Sequence, residues 1–158
     1  FPDFVTWKPK IRRIDKPNFL LLNRDRLRKP NTSTQIKDTI VEGMLEKKAQ
    51  NVLILDLRHI PNAVADFFII CNANSDRQVD AIAQSVEKEV AKKLSENPWH
   101  QEGKENCEWV ILDYVDAVAH VFRKDRRDFY ALENLWGDAP AQLIPESQTD
   151  DAPRLLSH

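Results

Sequence analysis

Asp66-Phe67-Phe68-Ile69-Ile70-Cys71, followed by Asn72-Ala73-Asn74-Ser75 and then Asp76-Arg77-Gln78-Val79-Asp80-Ala81-Ile82-Ala83, carries the reading of the fold. The run 67–71 is apolar without a break, aromatic and β-branched, and too short for a helix, so it reads as a buried strand. Asn72 to Ser75 is a turn by composition. Ser75 and Gln78 have the spacing of a capping box. Behind them Val79, Ile82, Ala83, Val86, Val90 and Leu94 recur every three or four residues, which predicts an amphipathic helix to about residue 95. Asn97-Pro98 stops it.

The same grammar extends in both directions. Upstream, Ile36, Ile40, Val41, Met44 and Leu45 share one helical face, with Thr32 and Gln35 at capping-box spacing, so a helix is expected over 34–49. Val52-Leu53-Ile54-Leu55, closed by Asp56, is a second buried strand. Downstream, 109–112 and 117–122 read as two strands of a hairpin joined by Asp113-Tyr114-Val115-Asp116. Phe129, Leu132, Leu135 and Trp136 predict a last short helix, capped by Asp125 or Asp128 and closed by Gly137. The order is αββαββα. Helices and strands do not alternate strictly, so the expected class is α+β, a mixed sheet with helices packed on it.

The 158 residues amount to one domain with ends. Residues 1–30 hold nine Lys/Arg against three Asp/Glu, a net of +6, and residues 31–158 hold 14 against 22, a net of −8. Four of the nine prolines lie in the first 30 residues and three in the last 19. Proline is excluded from helix interiors and central strands, so the compact domain is placed at 31–140, with a basic leader at 1–30 and a tail at 141–158. Three readings stay open for the leader: a targeting segment, an arm that contacts RNA through phosphate neutralisation, or a solvated extension.

Composition excludes several functions. No apolar run reaches the ~18–20 residues of a membrane span. Three glycines, Gly43, Gly103 and Gly137, cannot form either Gly-rich phosphate loop. Cys71 and Cys107 are too few for a disulfide scaffold or a four-cysteine zinc site, and a cytosolic setting is the natural expectation. His100 and Cys107 are the only nearby soft pair, and two ligands do not make a tetrahedral site, so no metal and no cofactor are expected.

Asp113 and Asp116 flank the hairpin turn. Nucleotidyl transfer needs carboxylates that converge on Mg²⁺, and two aspartates three apart around a turn read first as turn residues. His120 alternates with Val118 and Phe122, so it shares a sheet face with apolar side chains. It reads as a buried, hydrogen-bonded histidine or as a polar contact inside an interface; no nucleophile signature accompanies it as a base. Trp109, Tyr114, Phe122, Phe129, Tyr130 and Trp136 crowd into 28 residues. Core packing accounts for at least half of them. The remainder, on an acidic domain, suits a basic protein partner.

Asp66-Phe67-Phe68-Ile69-Ile70-Cys71, Ser75, Arg77-Gln78, Ala81-Ile82-Ala83 and Val86, then Glu102-Gly103, Glu108-Trp109-Val110, Asp113-Tyr114-Val115-Asp116, His120-Val121-Phe122, Arg127, Phe129-Tyr130, Leu132-Glu133 and Leu135-Trp136, resemble the ribosomal silencing factor family, also called RsfS or Iojap. The resemblance runs from about 34 to 140. It implies a nucleotidyltransferase-like core lacking the catalytic residues, hence no enzyme. In agreement, the turn 71–75 has no glycine where a true transferase has a Gly-Ser pair. Many relatives carry glycine where this chain has Val115, so the hairpin turn is expected to take a geometry that a β-branched residue tolerates.

The resemblance further implies binding to the large ribosomal subunit through a small basic protein, the fourteenth of the L series. A body about 30 Å across, docked on the face that meets the small subunit, blocks joining and represses translation when nutrients are short. Carried onto this chain, the contact surface is Trp109, Asp113, Tyr114, Asp116, His120, Phe122 and Tyr130. Trp109, Phe122 and Tyr130 serve as apolar anchors, and Asp113 and Asp116 meet Arg or Lys. Leu132, Leu135 and Trp136 are expected in the core. The alternatives are a large-subunit assembly factor in an organelle and a divergent nucleotidyltransferase built on Asp113 and Asp116. A homodimer of the free chain is also compatible with the resemblance.

Overall fold

The computed structural model describes residues 31–145. The basic leader at 1–30 and the chain after Pro145 lie outside the described residues, and with them the expectations of targeting and RNA contact.

Helix α1 (Ser33–Glu46) starts at Thr32 with the full capping box that its spacing predicts. Gln35 N–H donates to the Thr32 hydroxyl at 3.1 Å, and Thr32 N–H donates to Gln35 Oε1 at 2.8 Å. Strands β1 (Gln50–Asp56) and β2 (Phe67–Ala73) follow. Helix α2 (Asp76–Leu94) begins with a half-formed box: the Ser75 hydroxyl accepts from Gln78 N–H. The Gln78 side chain instead accepts from Asn74 N–H and donates toward the Lys47 and Lys48 carbonyls, tying the helix start to the end of α1.

Then come β3 (His100–Glu102), β4 (Trp109–Asp113) and β5 (Ala117–Arg123). The expected last helix is in fact two pieces, α3 (Lys124–Tyr130) and a 3₁₀ turn (Leu132–Trp136). They are split at Ala131, which adopts φ +46°. Neither Asp125 nor Asp128 caps α3, whose first turn follows Arg123 with no side-chain cap, and Gly137 keeps right-handed φ rather than a left-handed cap. Strand β6 (Ala141–Leu143) completes the chain and pairs with β1, so the sheet runs past the boundary placed at 140.

The six strands lie in the order β3-β4-β5-β2-β1-β6. Only β2 and β5 are parallel; every other pair is antiparallel. The α+β class with a mixed sheet is therefore the observed one. Both edge strands are three residues long, and prolines at 140 and 145 bracket β6, which leaves little for another strand to pair with.

One face of the sheet is covered by α1 and α2. Ile36, Ile40 and Met44 of α1 and Val79, Ile82, Val86 and Val90 of α2 pack on Val52, Ile54, Phe67, Ile69, Cys71, Val110, Leu112 and Val121. The helices touch at Gly43, where a Cβ would meet Val86 Cα at 2.7 Å, and Ser85 donates its hydroxyl to the Gly43 carbonyl at 2.7 Å. Because side chains alternate along a strand, the other face presents Phe68, Ile70, Ile111, Val118, His120 and Phe122. This face is roofed by the loop holding Leu57, Val64 and Ala65 and by the segment holding Leu132 and Ala139.

The hairpin turn departs from expectation. Val115 adopts φ +75°. It is the first of two residues between Tyr114 and Ala117, where hairpin turns usually need glycine. Its N–H donates to Asp113 Oδ1 at 2.8 Å, and Asp116 N–H donates to the Tyr114 carbonyl at 2.8 Å, which holds the β-branched residue in the left-handed region. Such a residue costs about 1–2 kcal/mol there. Val115 is buried, 8% exposed, although it lies outside both core clusters. Val115→Gly is therefore expected to change stability by less than about 1 kcal/mol in denaturant melts, the relieved strain largely offset by the lost side-chain burial and glycine's extra chain entropy. A larger loss would mean that the lost valine contacts outweigh the strain.

Candidate binding surface

The seven residues expected at the contact surface divide by position. Asp113 is fully buried at the end of β4, its Oδ1 engaged by the turn. Tyr114 is 2% exposed and packs with the core under the helices, where burial pushes its phenol well above the usual range. His120 and Phe122 are fully buried on the opposite face. In this structure these four offer no surface to a partner. Trp109, Asp116 and Tyr130 are partly exposed. Trp109 and Asp113 sit four residues apart on β4, about 13 Å, so the aromatic end of the hairpin and its acidic turn are separate places. Leu132 is core as expected and Trp136 is partly buried, but Leu135 is 52% exposed.

What the fold does bring together is an aromatic wall. Register places Trp109 opposite Phe122 and Ile111 opposite His120. The Trp109 ring stacks on Phe122 with centroids 4.8 Å apart and meets Tyr130 at 4.7 Å. Tyr130 meets Phe129 edge-on at 5.2 Å, and Phe129 is 60% exposed. The strip Trp109–Tyr130–Phe129 thus rises from the core to the surface. Helical spacing alone assigns Phe129 to a core position; the left-handed break at Ala131 changes that phase.

Beneath the wall, Trp109 Nε1–H donates to His120 Nδ1 at 3.1 Å. Phe68 lies 4.6 Å from the imidazole and Phe122 6.4 Å. Burial holds the His120 pKa down, to about 3, so the ring is neutral. With Nδ1 accepting, its proton sits on Nε2.

Arg127 fixes the helix that carries Phe129 and Tyr130. It is 8% exposed, and its guanidinium donates to the Asn51 carbonyl at 2.6 Å, to Asn72 Oδ1 at 2.9 Å and to Glu133 at 3.3 Å. Asn51 forms the β1 bulge with φ +51°, which turns that carbonyl toward the arginine. At the surface nearby, Arg123 pairs with Asp76 and Asp125 at 2.8 and 2.7 Å, and Arg126 with Glu108 at 3.3 Å.

For nucleotidyl chemistry the geometry offers little. Asp113 and Asp116 lie at the hairpin end of the sheet, where β2 begins, whereas α2 starts at the opposite end of β2. Among the described residues no group of three or more His, Cys, Asp or Glu is placed to hold a metal ion. Cys71 is buried, its thiol pushed up to about 12 by desolvation. Among the described residues no helix is long and apolar enough to cross a membrane.

Comparison with known proteins matches this arrangement. The profile of the family described as "Ribosomal silencing factor during starvation" fits residues 30–156. The ribosomal silencing factor RsfS of Halalkalibacterium halodurans is 42% identical over 109 residues, covering 69% of this chain and 92% of that protein. That of Bacillus subtilis is 46% identical over 95 residues, covering 60% and 79%. The chloroplastic protein Iojap of Zea mays is 31% identical over 107 residues, 68% of this chain and 46% of that protein. A crystal structure of a protein from Bacillus halodurans superposes with a TM-score of 0.60 at 38% identity, covering 70% of this chain and 99% of that one. One from Chromobacterium violaceum reaches 0.64 at 30% identity, covering 68% and 88%. With the ordered motifs, the mixed sheet and the family profile all in agreement over the same residues, this chain belongs to the ribosomal silencing factor family.

Proposed function

We propose that this protein binds the large ribosomal subunit and keeps it from joining the small subunit, so that translation falls when nutrients are short. The partner is the basic fourteenth protein of the L series. The observation that carries the reading is the aromatic strip Trp109–Tyr130–Phe129, a wall rooted in the core and open at its rim. It stands on a described domain with 13 Lys/Arg against 19 Asp/Glu. Aromatic anchors supply affinity and the opposite potentials steer the encounter. Phe122 supports Trp109 from below rather than touching the partner. Asp116, partly exposed at the turn end, would meet a Lys or Arg of the partner.

No catalysis is needed for such a mechanism, because a rigid domain in a subunit contact acts by occupying space. The short edges, β6 bracketed by prolines, turn a homodimer of the free chain toward the aromatic face, where it would compete with the ribosome. The bacterial relatives favour a cytoplasmic setting. A second reading is assembly of the large subunit in an organelle. It draws on the chloroplastic relative and on a mouse relative, 25% identical over 123 residues, named "Mitochondrial assembly of ribosomal large subunit protein 1".

Trp109→Ala, confirmed folded by circular dichroism, is expected to weaken binding to the isolated L-series protein by about 2 kcal/mol, near thirtyfold, in calorimetry. Unchanged affinity would remove Trp109 from the contact.

A further inference from the structure

We propose that His120 is a positioning residue for the binding face: by taking the indole N–H of Trp109, it fixes the ring's rotamer and leaves only hydrocarbon for the partner. The inference rests on the proposed binding role of the aromatic wall and adds what that wall selects.

Tryptophan has one polar atom, the Nε1–H donor. In this chain it points inward to His120 Nδ1 at 3.1 Å, and the acceptor is fully buried. The indole is further held by the stack on Phe122 and the tilted contact with Tyr130. The ring is partly exposed, so with its polar edge turned into the protein, the rim at the surface is apolar. Such a rim accepts an aliphatic side chain, a proline or the stem of a lysine or arginine. It gives nothing to a carbonyl or carboxylate seeking a donor.

The acceptor is dependable. A neutral imidazole with its proton on Nε2 presents Nδ1 as a lone pair, whereas an imidazolium would aim a second donor at the indole. Phe68, Phe122 and Trp109 surround the ring and keep it neutral. An anchor held in one rotamer before contact loses less entropy on binding, and a free indole would lose more.

The test uses the full chain, ¹⁵N-labelled, and purified large ribosomal subunits. The Trp109 indole N–H is assigned by its disappearance in Trp109→Phe, and its exchange with water is compared with that of the free indole in N-acetyltryptophanamide. In the native protein the Trp109 N–H is expected to exchange at least tenfold more slowly. His120→Phe fills the space without an acceptor; exchange should rise and affinity for the subunit fall about tenfold. His120→Asn places an amide oxygen close to the Nδ1 position and should restore both to within about threefold. In a Trp109→Phe background, which has no indole N–H to accept, adding His120→Phe should change affinity no further, since the coupled pair is already broken.

Unchanged affinity in His120→Phe with a released indole N–H overturns the positioning role, as does a further loss of about tenfold on adding His120→Phe to Trp109→Phe. Failure of the native protein to bind the subunit while the indole stays protected overturns the functional reading itself, and the two failures are distinct.

Discussion

Gly103→Ala is expected to cost on the order of 3 kcal/mol. Gly103 follows β3 with φ +84°, a region L side chains avoid, and a Cβ there would overlap the Trp109 carbonyl oxygen. The obstacle is backbone, so no rotamer change relieves it. Glu102 pairs with Ile111, and Cys107 N–H returns to the Gly103 carbonyl at 3.0 Å, so the methyl would push β3 and its return loop away from β4 at Trp109, the proposed anchor. A denaturant midpoint within about 0.5 kcal/mol of native, the range of an ordinary surface change, would contradict this. Glu105→Ala, exposed and two residues on, is the control and should be near neutral.

Acid should destabilise the fold through His120 well before the carboxylates titrate. Burial holds the folded pKa near 3, against about 6.5 for an exposed histidine. The sign is fixed: the unfolded chain binds this proton below pH 6.5 and the folded chain does not. The stability contributed by the neutral ring is therefore complete above pH 6.5 and is lost as pH falls toward 3. The slope is about 1.4 kcal/mol per pH unit for one proton. Asp56, lowered to about 2 by its hydrogen bonds with Arg58, loses its contribution only below about pH 4, so the window from pH 6.5 to 4.5 isolates the histidine. In His120→Asn the slope in that window should shrink by one proton's worth. An identical slope would place the proton uptake elsewhere.

The parts of the fold legible in the sequence are those that bury long apolar stretches. Phe67-Phe68-Ile69-Ile70-Cys71 could only be a central strand, and the Val79 to Leu94 periodicity only a helix lying on it. The edge strands were not legible. His100-Gln101-Glu102 is polar, Ala141-Gln142-Leu143 is exposed throughout, and both are strands only because β4 and β1 offer them partners.

The site was partly legible for a similar reason. Alternation correctly put His120, Phe122 and Val118 on one face. Nothing in alternation says whether a second layer covers that face. Here the loop around Val64 and the segment around Leu132 do so, which buries His120 and Phe122 and leaves Trp109 and Tyr130 at the rim. The left-handed residues Val115 and Ala131 carry no compositional signal, since neither is Gly, Asn or Asp. The first tightens the turn that buries Asp113, and the second brings Phe129 to the surface.

Whether the protein keeps ribosomal subunits apart is read in a joining assay on sucrose gradients. Purified large and small subunits are mixed with increasing amounts of the full chain, and each fraction is probed for it. The protein should travel with the large subunit while the joined peak shrinks, and Trp109→Ala should weaken both effects together. Undiminished joining, with the protein bound to the large subunit or left at the top of the gradient, would contradict the proposed function.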